Sequence, residues 1–180
     1  MNNVKNVVLL ACGSFNPPTV MHLRLFEIAR DSLTRHGYNV LGGVISPVHD
    51  GYGKKGLVRS SERCAMVKLA LQSSDWVRLS DWESTQEEWS ETKKVLYHHQ
   101  RREEHAWLTE NIVNSEGPVK VMLLCGGDML DSFGTPGLWK ACDIETIVGD
   151  YGLVVISRSD SNPQKTIYES DVLTKFQKKY

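Results

Sequence analysis

The sequence predicts an α/β protein built on a parallel sheet, and three observations predict it. Residues 7–11 and 121–125 are continuous apolar runs, the pattern of strands buried on both faces. Amphipathic helical stretches alternate with such runs, which implies parallel strands joined by right-handed crossovers. The first and fourth apolar runs each end at glycine, Gly13 and the pair Gly126-Gly127.

The elements follow in order. After the first strand, Thr19 is placed to cap a helix over residues 20–36, with Leu25, Phe26, Ala29 and Leu33 on one face and Gly37 at its end. Residues 40–46 read as a second strand. Ser60 or Ser61 is expected to cap a helix through Leu71, with Met66, Leu69 and Ala70 facing inward. Residues 76–79 read as a short third strand. A long polar helix is expected over residues 84–109, anchored by Trp89, Val95 and Leu96, and residues 111–118 read as a linker. Residues 119–125 form the fourth strand. Short helices are expected over 129–133 and 143–148, then a strand over 152–156 and a polar tail from Ser157.

With 180 residues, 41% hydrophobic and 24% charged, the chain has the material for one domain with a proper core. A net charge of -1 argues against a general nucleic-acid binder, whose footprint is basic. The apolar runs are far too short to span a bilayer. Cys12, Cys64, Cys125 and Cys142 form no C-x-x-C pair and lie at no zinc-ligand spacing with histidine, so they read as reduced, mostly buried thiols. His98, His99 and His105 read as residues of a solvated helix face.

The stretch carrying chemistry is Gly13-Ser14-Phe15-Asn16-Pro17-Pro18-Thr19-Val20-Met21-His22, between the first strand and first helix. Ligands of open α/β sheets bind at the carboxyl ends of the strands. Gly13 permits close backbone approach, and the helix start offers N–H groups and a dipole to an anion. Phe15 anchors the loop in the core, Pro17 and Pro18 stiffen it, and His22 stands in the first turn within reach of phosphate oxygens.

This stretch resembles the G-x-F-x-P-x-[HT]-x-x-H signature of the nucleotidylyltransferase superfamily. With Thr19 in place of the first histidine, it is similar to eukaryotic nicotinamide/nicotinate mononucleotide adenylyltransferases. Ser46-Pro47-Val48, Tyr52-Gly53-Lys54-Lys55, Trp82-Glu83-Ser84, Trp89, Glu91 and Thr92 agree with that resemblance. So do Leu123-Leu124-Cys125-Gly126-Gly127-Asp128, Leu138-Trp139 and Tyr168-Glu169-Ser170-Asp171-Val172-Leu173. The resemblance implies a Rossmann-like doubly wound parallel sheet with flanking helices, the nucleotidylyltransferase fold. It also implies condensation of ATP with nicotinamide or nicotinate mononucleotide to give NAD or deamido-NAD and pyrophosphate.

The resemblance also implies roles. His22 and Lys54 would act on the phosphates, with Gly13, Ser14, Phe15 and Lys55 completing the ATP site. Trp89 and Trp139 would wall the pyridine ring, Thr92 and Leu138 would offer backbone groups to its amide, and Tyr52, Gly126, Asp128 and Arg158 would complete the mononucleotide site. Asp128 also reads as a helix N-cap, and Trp76 and Trp82 read as packing residues. Mg2+ would travel with ATP, held by substrate and water rather than by a protein metal motif. A homo-oligomer is expected, with no nucleic-acid or membrane partner.

Two departures from the family shape the expectation. The segment 101–118 is short and carries no basic block, which leaves the compartment open between cytoplasm and nucleus and mildly favours the cytoplasm. The family's second phosphate motif, I-S-x-T-x-x-R, is missing from residues 157–180, so a single domain over 1–180 lacking the family's C-terminal strand and helices is expected. Such a chain is expected to bind mononucleotide better than it catalyses. The alternative reading is a catalytically weak nucleotide-binding or chaperone-like module.

Overall fold

In the computed structural model, residues 5–110, 117–157 and 162–176 are described, with side chains omitted for 105–110. The chain runs β1 (Lys5–Gly13), α1 (Val20–Arg35), β2 (Tyr38–Pro47), α2 (Ser60–Ala70), β3 (Val77–Leu79) and α3 (Thr92–Glu110). It continues with β4 (Val119–Gly126), α4 (Gly127–Ser132), α5 (Ala141–Thr146), β5 (Leu153–Ile156), α6 (Pro163–Glu169) and α7 (Asp171–Phe176). The five strands are parallel, in the order β3-β2-β1-β4-β5.

The alternation of β1 explains the two-layered core. Val7, Leu9 and Ala11 join Phe26 and Ala29 of α1 and Val67 of α2 on one face of the sheet. Val8 and Leu10 join Val95 and Leu96 of α3 on the other. A period-2 strand thus feeds both layers, which is why the run is apolar throughout. Leu9 and Leu10 are fully buried, so truncating either to alanine would cost about 2–5 kcal/mol.

Strand order reverses beside β1. The chain moves outward through β2 and β3, then returns to β1's other side with β4. Leu10 pairs in register with Leu123, and Gly13 with Pro47. Three residues beyond Leu10 and Leu123 stand Gly13 and Gly126, so two glycines flank the crevice at the switch point, where such sheets hold ligands.

Several expectations change. The stretch before Thr92 is not helical beyond a single turn at Glu83–Thr85. Trp89 therefore precedes α3 and, being exposed, is no core anchor. In α2 the inward stripe is Arg63, Val67 and Leu71 at i, i+4, i+8, while Leu69 is 63% exposed. Ser60 is the first helical residue, and its N–H is taken by the distant Asp50 carboxylate at 2.7 Å rather than by a local serine cap.

His98 and His99 do not lie on a solvated face. His98 stacks on Trp82 at 3.9 Å between centroids and 7° between planes. His99 is fully buried, and neither ring nitrogen has a partner. The His105 side chain lies outside the described residues, as does most of the expected linker. All four cysteines are free, but Cys142 is exposed.

The tail contains α6 and α7. Ile167, Val172, Leu173 and Phe176 pack with Leu130, Phe133, Ile144 and Val148 into a third small core. A Cβ on Gly149 would stand 2.9 Å from the Phe176 ring, so glycine there allows the close approach. No helix of the described residues is long and apolar enough to cross a membrane.

Candidate active site

The loop leaving β1 turns at Phe15, the one described non-glycine residue with positive φ, at 45°. Its ring is buried, lies beneath Gly13 and meets the His22 ring edge-on at 5.0 Å. Burial of this ring holds a backbone conformation that costs about 1–2 kcal/mol outside glycine. The following Asn16-Pro17 peptide is cis.

Thr19 caps α1, and His22 at the third helical position closes a capping box. The Thr19 backbone N–H donates to His22 Nδ1 at 2.9 Å. That N–H can only donate, so Nδ1 is the acceptor and the neutral ring carries its hydrogen on Nε2. His22 thereby presents a donor from the first turn of a helix, the end that already favours anions.

Lys54 stands on the loop after β2, beyond a short turn at Asp50–Tyr52. Its Nζ donates to Ser14 Oγ at 3.2 Å, so a cation from one loop meets the other loop's hydroxyl. Lys55 is exposed beside it. The two loops are further joined by the Val48 N–H to Gly13 O at 2.8 Å. The Asn16 side chain adds a donor to Gly56 O at 2.9 Å and an acceptor for the Val58 N–H at 3.2 Å.

Tyr52 is exposed on its turn, and a Cβ built on neighbouring Gly51 would lie 3.8 Å from Trp89 Cβ. Trp89 is 43% exposed. Trp139 is half-buried, edge-on to Phe133 at 4.8 Å, with Nε1–H donating to Ser132 Oγ at 3.1 Å. Two ion pairs draw their segments together: Lys140 to Glu91 at 2.9 Å, and Lys93 to Asp143. Thr92 opens α3. The Leu138 N–H is spent on Thr135 O at 3.2 Å, which leaves its carbonyl as the backbone group to offer.

At the end of β4, a Cβ on Gly126 would find no heavy atom nearer than Ile156 O at 4.0 Å. The fold itself makes no demand for glycine there. Gly126 occupies the N-cap position of α4; Asp128, exposed in the first turn, is not the cap. Arg158 lies outside the described residues.

Sequence reasoning missed two buried charges beneath these loops. Arg63 is fully buried under the phosphate loop. Its one sequence signal is a charge at the head of the stripe completed by Val67 and Leu71. Glu83 is 3% exposed and accepts from Ser46 Oγ at 2.6 Å. Burial pushes its carboxyl up to about 7, against the Ser46 hydrogen bond and the Arg63 charge, which pull it down. A groove of about 540 Å³ between Trp82, Tyr97, Arg101 and Arg102 is lined by none of the crevice residues.

A five-stranded parallel sheet with a glycine-led loop and a helix start at its switch point defines the class: the chain has the nucleotidyltransferase fold. The cytidylyltransferase-like family profile matches residues 10–180. The sequence is 51% identical to the nicotinamide-nucleotide adenylyltransferase of Drosophila melanogaster, over 95% of this chain and 49% of that protein. It is 48% identical to nicotinamide/nicotinic acid mononucleotide adenylyltransferase 1 of Bos taurus, over 95% of this chain and 72% of that protein. A solved structure of Plasmodium falciparum nicotinic acid mononucleotide adenylyltransferase complexed with APC superposes with a TM-score of 0.57. At 17% identity it covers 96% of this chain and 71% of the other, and its likeness is one of fold.

The chain belongs to the nicotinamide/nicotinic acid mononucleotide adenylyltransferase family. It spans about half the length of the Drosophila relative and about seven tenths of the bovine one.

Proposed function

We propose that this chain transfers the adenylyl group of ATP to nicotinamide or nicotinate mononucleotide, yielding NAD or deamido-NAD and pyrophosphate. One observation carries the reading: the Nε2–H of His22 in the first turn of α1, with Nδ1 accepting from the Thr19 N–H, and the Lys54 ammonium at Ser14 stand on segments joined at the switch point.

A mononucleotide phosphate oxygen forms the new bond to the α-phosphorus of ATP, and the bond from that phosphorus to the oxygen bridging it to the β-phosphorus breaks, that oxygen and its electron pair leaving with pyrophosphate. The nucleophile is already an anion, so no side chain need act as base. The protein's work is positioning and charge stabilisation. His22 Nε2–H and Lys54 act on the phosphates, and the backbone of Gly13, Ser14 and Phe15 with Lys55 completes the anion site. Trp89 and Trp139 hold the pyridine ring by stacking. Thr92 and the Leu138 carbonyl meet its amide, and Tyr52, Gly126 and Asp128 border the mononucleotide.

Mg2+ would enter with ATP. The donors at this site are a hydroxyl, an imidazole and a lysine, a set that suits phosphate oxygens and leaves the ion to substrate and water. When bound, it supplies charge neutralisation on the leaving pyrophosphate.

The test incubates the chain with ATP, Mg2+ and either mononucleotide and follows NAD, deamido-NAD and pyrophosphate. A His22→Ala variant is expected to lose about 100-fold or more in kcat, the scale of a lost transition-state donor. Absence of product with both mononucleotides sinks the reading; product at an undiminished rate in the variant sinks the role of His22.

A further inference from the structure

We propose that Arg63 is the positioning residue that sets the phosphate loop against the lysine loop and so builds the ATP half of the site. This rests on the proposed reading for the ATP site and for its kinetic arm, and the exchange arm stands apart from it. The side chain is fully buried in the inward stripe of α2. Its guanidinium is spent on three loop carbonyls and one carboxylate. Nη1 donates to Ser14 O at 2.8 Å, Nη2 to Val48 O at 2.7 Å and Asp50 Oδ1 at 2.9 Å, and Nε to Val58 O at 2.7 Å.

These acceptors come from three separate stretches: the loop after β1, the exit of β2, and the entry to α2. Lys54 stands between the second and third. A planar fork with donors at fixed angles holds such acceptors in one relative geometry, which a single ammonium point cannot do. Burying a charge is costly unless every donor is used, and a small apolar residue would fill the stripe below Val67 without that cost. The position of the charge is explained by what it holds.

Asn16 completes the arrangement from the solvent side, gripping Gly56 and Val58 by the bonds described above. Arg63 and Asn16 thus tie the same two loops together, Arg63 buried and Asn16 nearer solvent, and the Lys54–Ser14 contact joins those loops as well. Asp50 is the outer end of the clamp. Burial works against its charge, but the hydrogen bonds from Arg63 and Ser60 prevail and hold its carboxyl below its ordinary value.

The experiment uses Arg63→Lys, Arg63→Ala and Asn16→Ala. It measures binding of a non-hydrolysable ATP analogue and of mononucleotide separately, kcat and KM for each substrate, and hydrogen exchange across the chain. Arg63→Lys is expected to weaken ATP binding about tenfold or more, the scale of lost charge-assisted hydrogen bonds. Mononucleotide binding should fall by clearly less, because the segments carrying Thr92, Leu138 and Trp139 are held by the Lys140–Glu91 and Lys93–Asp143 pairs, and only Tyr52 and Trp89 lie against the clamped turn. Exchange should rise at residues 13–18 and 53–58 and not in β4. Methylguanidinium should restore ATP binding to Arg63→Ala in part, by filling the vacated fork.

Equal loss for both substrates, no loss for either, or exchange rising evenly through the core would overturn the proposal and leave Arg63 a plain stability residue. If both Arg63 variants fail to fold, Asn16→Ala decides: it must show the ATP-selective loss, and unchanged ATP affinity refutes the clamp. A wild-type chain that binds ATP without turnover defeats the adenylyl-transfer reading alone, since the binding and exchange arms still judge Arg63.

Discussion

Lys140 Nζ lies 2.9 Å from Glu91 Oε1, and that ion pair joins the turn carrying Leu138 and Trp139 to the segment carrying Trp89 and Thr92. The two lysines that lace these segments should behave differently. Lys140 and Glu91 are both well exposed, so their pair contributes about 0–1 kcal/mol to stability. Lys140→Ala should leave the Tm nearly unchanged while raising KM for mononucleotide and sparing KM for ATP. Lys93 pairs with Asp143, whose side chain is 7% exposed. The Lys93 hydrogen bond is the main cause that holds the Asp143 carboxyl below its ordinary value. Lys93→Ala strands that carboxylate and should cost about 2 kcal/mol or more, read by urea denaturation. Equal effects of the two substitutions on stability would refute the distinction.

The tryptophans can be told apart by exposure. Trp89→Ala should leave the denaturation midpoint within error and raise KM for mononucleotide about tenfold, with Trp89→Phe restoring most of it through stacking. Trp139→Ala should do both kinds of damage, because Trp139 also packs on Phe133 and donates to Ser132. A Trp89→Ala variant with normal mononucleotide KM would remove that residue from the pocket.

Gly126 and Gly43 give a matched comparison of binding against packing. At Gly126 the backbone is ordinary, with φ -85, and the nearest atom to an added Cβ is 4.0 Å away. Gly126→Ala should fold with stability within about 1 kcal/mol of the parent and lose nucleotide binding by obstruction. At Gly43 an added Cβ would lie 2.7 Å from the Phe26 ring. Gly43→Ala should destabilise by about 1–3 kcal/mol through overpacking. Intact binding in Gly126→Ala would show that the ligand stays clear of β4.

Two buried groups bend the stability curve in opposite directions. Glu83 titrates at about 7 in the fold against 4.5 for its ordinary value. Keeping it buried therefore becomes costlier as pH rises from 4.5 to 7, by about 3 kcal/mol in all. His99 titrates at about 3 against 6.5, driven down by burial first and by His98, Arg78 and Arg102 after it. Its neutral burial is fully tolerated above pH 6.5 and opposed as pH falls toward 3, by about 5 kcal/mol. Between pH 4.5 and 6.5 the two slopes cancel. Glu83→Gln should expose a stability that climbs with pH across that window, and His99→Leu one that declines, both measured by urea titration. His99→Leu should also be tolerated at pH 7, because it removes two ring nitrogens that have no partners. Parallel curves for wild type and variants would show that neither group is coupled to folding.

Local chemistry carried much of this protein into view from its sequence. Residues 7–11 had to be a strand buried on both faces, because no alternation marks a wet side. The glycine-led loop with Thr19 and His22 had to open a helix, because capping acts within one turn. The family resemblance rested on motifs of the same local kind. What the sequence alone could not show is what meets from afar. The α2 face turned on Arg63, whose partners are 49, 15, 13 and 5 residues away, so a local apolar pattern passed over it and placed Leu69 inside. Residues 84–91 were read as helix from polarity and spacing, yet Trp89 stands before α3 beside Gly51. His99 looked solvated on a charged helix and is fully buried. Periodicity ranks residues by their own element, whereas burial and hydrogen bonding are settled by whichever element arrives opposite, and only the tertiary structure decides that.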